Sequence, residues 1–161
     1  MNRTLIVLGL LCSSVVSAQA GFVPADVTKA IGQAGREIVA YLPYAEQLDV
    51  SDALRVAALR GKRVFLITSV KGVQDPMGFT LRLAHVPGVR TYLAAPTGEP
   101  FLIIDGNTTF AGNGLMQDGL GTQINSARPE QLLAWAQGVT KIPPASKTAL
   151  LKLRYSGPPH R

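Results

Sequence analysis

An α/β fold, with a mixed, mainly parallel sheet and helices on both faces, is predicted by three observations. Helical and strand patterns alternate through the first half of the chain, which requires parallel pairing through helical crossovers. Arg63–Thr68 and Phe101–Ile104 are continuous apolar runs, the pattern of strands covered on both faces. Asp105-Gly106-Asn107, set between Phe101–Ile104 and Thr108–Ala111, is a hairpin signal that adds antiparallel pairing.

Residues 1–20 stand apart from this fold. Asn2 and Arg3 give a polar, positive start, and Leu5 to Val16 is an apolar core too short to span a bilayer. Ala18-Gln19-Ala20 is a small-residue cleavage site followed by Gly21, so the segment reads as a secretory signal peptide. A periplasmic or secreted mature chain is the expectation. Cys12 follows Leu10 and Leu11, where a lipoprotein site would need a small residue, and it is expected to leave with the peptide.

The elements of the mature chain follow in order. Pro24-Ala25-Asp26 opens a helix with Val27, Ile31 and Ala34 on one face, and Gly35 ends it. Glu37–Leu42 reads as a strand. Ser51-Asp52 caps a second helix whose buried stripe is Leu54, Ala57 and Ala58, with Gly61 as its stop. The Arg63–Thr68 strand leads into a loop over Gly72–Gly78 and a short helix over Met77–Ala84. Val89–Leu93 is a strand, followed by a Pro96-Thr97-Gly98 turn. After the hairpin, a short strand is expected at Thr122–Asn125, and Pro129 starts a helix with Leu132, Trp135 and Ala136 facing inward. Pro143-Pro144 breaks regular structure, and Pro158 and Pro159 keep the end extended. One domain over residues 21–140 and a basic, Pro-containing tail over 141–161 are the expected organisation.

Charge and cysteine usage narrow the function classes. The chain has 161 residues and a formal charge of +6, of which Arg3 carries one unit in the signal peptide. Its single cysteine is Cys12, which leaves the mature chain without disulfides or thiolate metal ligands. No later apolar run is long enough to cross a membrane. Lys141, Lys147, Lys152, Arg154 and Arg161 follow Trp135 with no acid among them. Such a tail suits nucleic acid or an anionic lipid surface; the plainer alternative is a solvated tail.

The stretch Gly98-Glu99-Pro100-Phe101-Leu102-Ile103-Ile104-Asp105-Gly106 resembles the signature of the phospholipase D superfamily. There a His, a Lys two residues later and an Asp five residues after that frame a short apolar strand. Order and length of the elements look like the small exported single-motif Nuc-type endonucleases of that superfamily. Ala53 through Gly61, Arg63–Ile67, Pro87-Gly88-Val89-Arg90, Gly112 and Trp135 extend the resemblance over nearly the whole mature chain. It implies two motifs meeting at one site, supplied by homodimerisation. One His attacks phosphorus, the other protonates the leaving group, the Lys pair holds phosphoryl charge, and each Asp orients its His.

The departures are severe. Gly98 stands at the His position and Pro100 at the Lys position, leaving Asp105 as the matching polar residue, with a turn residue as its alternative reading. Asn113 replaces a Ser after Gly112, and Leu115 stands where a phosphate-binding Asn is expected. A non-catalytic binding protein is the first expectation, and an active phosphodiesterase with a relocated nucleophile is the alternative. His85 is the candidate for that role, against a plain surface or turn histidine, and His160 lies in the Pro-rich tail. Gly112-Asn113-Gly114 could present backbone N–H groups to phosphate as a nest, or be a glycine-rich turn. Gln117, Asp118, Gln123 and Asn125 form a polar rim matching no known reaction. Tyr41 and Tyr44 could stack on a base, with core packing the plainer reading. No cofactor and no metal site are implied.

Overall fold

The computed structural model describes residues 21–117 and 123–156. The segment 1–20 read as a signal peptide, Asp118, Thr122, Pro158, Pro159, His160 and Arg161 lie outside the described residues.

The chain builds helix α1 (Pro24–Gly32), strand β1 (Glu37–Tyr41), α2 (Leu48–Leu59), β2 (Arg63–Thr68), α3 (Val70–Gln74), α4 (Thr80–Ala84) and β3 (Val89–Leu93). It continues through β4 (Phe101–Ile104), β5 (Thr108–Ala111), a 3-10 turn at Asn113–Leu115, β6 (Asn125–Ser126), α5 (Pro129–Val139) and α6 (Lys147–Ser156). The strands form one mixed sheet in the order β3-β2-β1-β4-β5-β6. β1, β2 and β3 pair in parallel, and β4, β5 and β6 add to them antiparallel.

Strand alternation divides the side chains between two layers. Ile38, Ala40, Val64, Leu66, Leu102 and Ile104 face α1 and α2, where Val27, Ile31, Val50 and Leu54 meet them. Val39, Tyr41, Ile67, Phe101 and Ile103 face α5, where Ala136 is buried and Trp135 packs alongside. Both layers are dry, so a one-residue slip of β1 or β4 would exchange the two sets, and the register is strongly specified. The predicted α/β class with helices on both faces is therefore what the chain forms.

Four local differences have physical reasons. α1 ends at Gly32, ahead of Gly35, because the Gly35 N–H is engaged by the Asp105 carboxylate instead. α2 begins at Leu48, ahead of the expected Ser51-Asp52 cap, because the Gln47 side chain accepts a bond from Asp49 N at 2.7 Å. Part of the expected Gly72–Gly78 loop is α3, capped by Ser69, whose hydroxyl accepts from Gly72 N at 2.9 Å. Gly72 is required there: a Cβ would lie 2.2 Å from the Pro43 carbonyl oxygen. The last strand is Asn125–Ser126, displaced from Thr122–Asn125 by its pairing with Phe110 and Ala111.

The region after Pro143-Pro144 also holds a helix. Ser146 caps α6 by accepting from Ala149 N at 3.1 Å, and Leu150 is fully buried against Val73 and Ala84. Burying one leucine contributes about 1.5–3 kcal/mol. On the way to α6, Ala145 N–H donates to Thr91 O at 2.8 Å along the outer edge of β3.

Candidate functional site at the two ends of strand β4

The residues singled out by the motif fall at opposite ends of β4, on the order of 13 Å apart for four residues. At the far end, Asp105 adopts φ 52°, the left-handed region that Asp tolerates better than most residues. Its carboxylate accepts three backbone bonds: from Gly35 N at 2.6 Å, Arg36 N at 2.8 Å and Glu37 N at 3.0 Å. Asp105 N–H returns a bond to Glu37 O at 2.9 Å. The N–H groups of Glu37, Gly35 and Arg36 hold its carboxyl at about 2, below the usual 3.8. Asp105 is thus a staple that closes the α1–β1 connection onto the hairpin, and no imidazole among the described residues bonds to it.

At the near end lie Gly98 and Pro100. Gly98 has φ 74°, with open space where a side chain would project. The backbone at Gly98, the expected nucleophile position, therefore adopts a conformation that suits glycine and strains any histidine placed there. Pro100 is buried, and its carbonyl accepts from Gly112 N at 2.9 Å. Between them Glu99 is exposed and places an acidic group where phosphoryl charge would need cations. The Tyr41 hydroxyl braces this end: it donates to Thr97 O at 2.8 Å and accepts from Thr97 N at 2.7 Å. Its ring is buried against Trp135 and Phe101, so Tyr41 is a core residue. Tyr44 is half-buried in the connection after β1.

The expected nest is used internally. Gly112 N donates to Pro100 O, and Gly114 N to Gln123 O at 3.3 Å. Gly112 has φ 136°, and a Cβ on it would lie 2.0 Å from Gln123 O. Gly112-Asn113-Gly114 is a packed turn rather than a cradle for phosphate. Leu115, at the expected phosphate-ligand position, is fully buried in the core.

His85 is not brought to this site. It follows α4, just ahead of β3, whereas Gly98 follows the other end of β3. Its Nδ1 donates to Leu81 O at 2.8 Å, and because a carbonyl only accepts, the proton sits on Nδ1. Nε2 is buried without a partner. His85 thus closes α4 at the opposite end of β3 from Gly98, with its Nδ1 held by Leu81. Two tail residues are also occupied: Lys147 Nζ donates to His85 O at 2.9 Å, and Arg154 donates to Gln74 O. Lys141 and Lys152 are exposed. No helix among the described residues is long and apolar enough to cross a membrane.

This arrangement of strands and helices is the fold of phospholipase D in its Nuc-type form. NucT from Helicobacter pylori superposes with a TM-score of 0.60 at 16% identity, over 73% of this chain and 86% of that one. Nuc from Salmonella typhimurium, a phospholipase D family member, superposes with a TM-score of 0.58 at 19% identity, over 73% and 86%. TrmBL2, an archaeal chromatin protein with a novel mode of DNA binding, gives 0.50 at 12% identity, over 81% of this chain and 54% of that one. No protein-family model and no curated protein matches the chain.

Proposed function

We propose that this protein is an exported, non-catalytic member of the phospholipase D fold group that binds a polyanion, nucleic acid or anionic lipid, or a protein partner, as a homodimer. One observation carries the reading: in the sequence resemblance Gly98 and Pro100 fall at the positions of nucleophile and phosphoryl cation, and the fold that carries them superposes on 86% of Nuc. The left-handed backbone at Gly98 and the buried Leu115 support it, since the first disfavours a histidine and the second leaves no exposed position for an amide. Loss of a nucleophile from a concerted site costs on the order of a millionfold in rate. The DNA-binding chromatin protein of related fold supports nucleic acid as one ligand class.

The test is hydrolysis of DNA and of bis-p-nitrophenyl phosphate by the purified protein, with and without a metal chelator. Rates at the uncatalysed background are expected in both. Turnover, or a phosphohistidine trapped during it, would overturn the proposal.

A further inference from the structure

The connections at the two ends of the sheet carry opposite charge. At the end holding the degenerate motif, the connections after β1, β2 and β3 supply Glu46, Asp75 and Glu99 against Lys71 and against Arg154, which α6 brings to Gln74 O. Asp49, in the first turn of α2, adds to the acidic side. At the opposite end, the connections into β1 and β2 supply Arg36, Arg60 and Lys62, and the strands themselves begin with Arg63 and carry Arg90 as the second residue of β3. The acids there are already engaged: Asp105 by three backbone N–H groups, and Glu37 by Arg63 at 2.7 Å. Arg36, Arg60 and Arg90 are exposed, and no ion pair holds them among the described residues.

We infer that a nucleic-acid strand docks at this basic end, opposite the degenerate motif, with Arg36, Arg60 and Arg90 on its phosphates. The inference rests on the polyanion-binding reading above and names its surface. Charge complementarity points the ligand to this end, because a phosphate approaching Gly98 meets Glu99 first. Adjacent parallel strands are roughly 4.8 Å apart, so Arg36 ahead of β1 and Arg90 within β3 are spread across the sheet on either side of β2, with Arg60 at the end of α2, just ahead of β2. Guanidinium groups dominate this end, and their planar donor forks match phosphate oxygens. The Arg90 guanidinium lies 5.8 Å from the centre of the Phe65 ring, and Phe65 stacks on Tyr92. A half-buried ring beside an arginine suits a nucleobase. A lipid surface would call for an apolar face to insert, and the exposed Leu59 at this end is a single side chain.

Fluorescence anisotropy of a labelled single-stranded oligonucleotide, titrated with the purified protein across a salt series, tests the assignment. Arg36→Gln combined with Arg90→Gln is expected to weaken binding about tenfold or more and to lower the salt slope by about 1.4, at roughly 0.7 per phosphate contact. Arg60→Gln alone, at an exposed helix end, should lower the slope by about 0.7. Lys71→Gln and Lys152→Gln should stay within about twofold of the parent, and melting curves check that every variant folds. Loss of binding in Lys71→Gln or Lys152→Gln with Arg36, Arg60 and Arg90 indifferent would overturn the surface while leaving the non-catalytic reading intact. Binding to phosphatidylserine vesicles without binding to the oligonucleotide would also overturn it. Phosphodiester turnover would instead strike the non-catalytic reading.

Discussion

The two ends of β4 serve one motif in different ways. The Asp105 end is rigid and fully engaged: three backbone donors converge on one carboxylate, and the strand ladder continues into it. The Gly98–Pro100 end has a frame but no reactive group, held by the Tyr41–Thr97 pair of bonds and the Gly112-to-Pro100 bond. The contrast shows that the scaffolding and chemical parts of such a motif are physically separable. A carboxylate that binds backbone N–H groups needs no imidazole to be worth keeping. A frame built from main-chain bonds likewise survives the exchange of its side chains.

The sharpest way to break this contrast is Leu115→Asn, which puts an amide back at the expected phosphate-ligand position. The site is fully buried and apolar. Losing the leucine's packing and burying an unpartnered amide should cost on the order of 4 kcal/mol. Urea denaturation would read this; a change under about 1 kcal/mol would mean that the near end still tolerates a polar ligand group.

A smaller effect is expected at the far end from Asp105→Asn, which keeps the left-handed preference but weakens the three-donor clasp. The sign with pH follows from the lowered carboxyl. Folding favours the ionised form, so its contribution is fully present above the usual 3.8 and is lost as pH falls toward about 2. Melting temperatures of parent and variant should therefore differ near pH 6 and converge near pH 2. A gap unchanged by pH would show that shape rather than charge holds the clasp.

The smallest effect belongs to Gly98→His with Pro100→Lys, the direct restoration of the motif. Space is open at Gly98, so the histidine costs only the left-handed backbone, about 1 kcal/mol, and the lysine adds the cost of a buried position at Pro100. Phosphodiesterase activity should remain at background, because a histidine there sits on the wrong backbone beside Glu99 and without its other partners. Recovery of turnover would show that the near end is a poised site lacking two side chains alone.

Much of this molecule was legible from residue order. The apolar runs Arg63–Thr68 and Phe101–Ile104 and the Asp105-Gly106-Asn107 turn each announce their structure locally, and each forms as read. That Gly98 and Pro100 carry neither an imidazole nor an ammonium group is plain from identity alone. α6 was hidden because its anchoring is sparse: Leu150 is its one fully buried side chain, in a basic segment behind two prolines. The role of Asp105 was hidden for a different reason, because its partners are main-chain N–H groups nearly seventy residues away, which no side-chain pattern reveals. The separation of charge between the ends was invisible for the same reason. Arg36, Arg60 and Arg90 are scattered in the chain and come to the same end of the sheet only through the parallel crossovers that align the starts of β1, β2 and β3.

The bond from Ala145 to Thr91 has a consequence for how copies of this protein coexist at high concentration. An open β-strand flank is a template on which other chains can add, and β3 would otherwise offer one. By bonding Ala145 to Thr91 on that flank before turning into α6, the polypeptide occupies one of the main-chain acceptors that a neighbour would otherwise stitch onto.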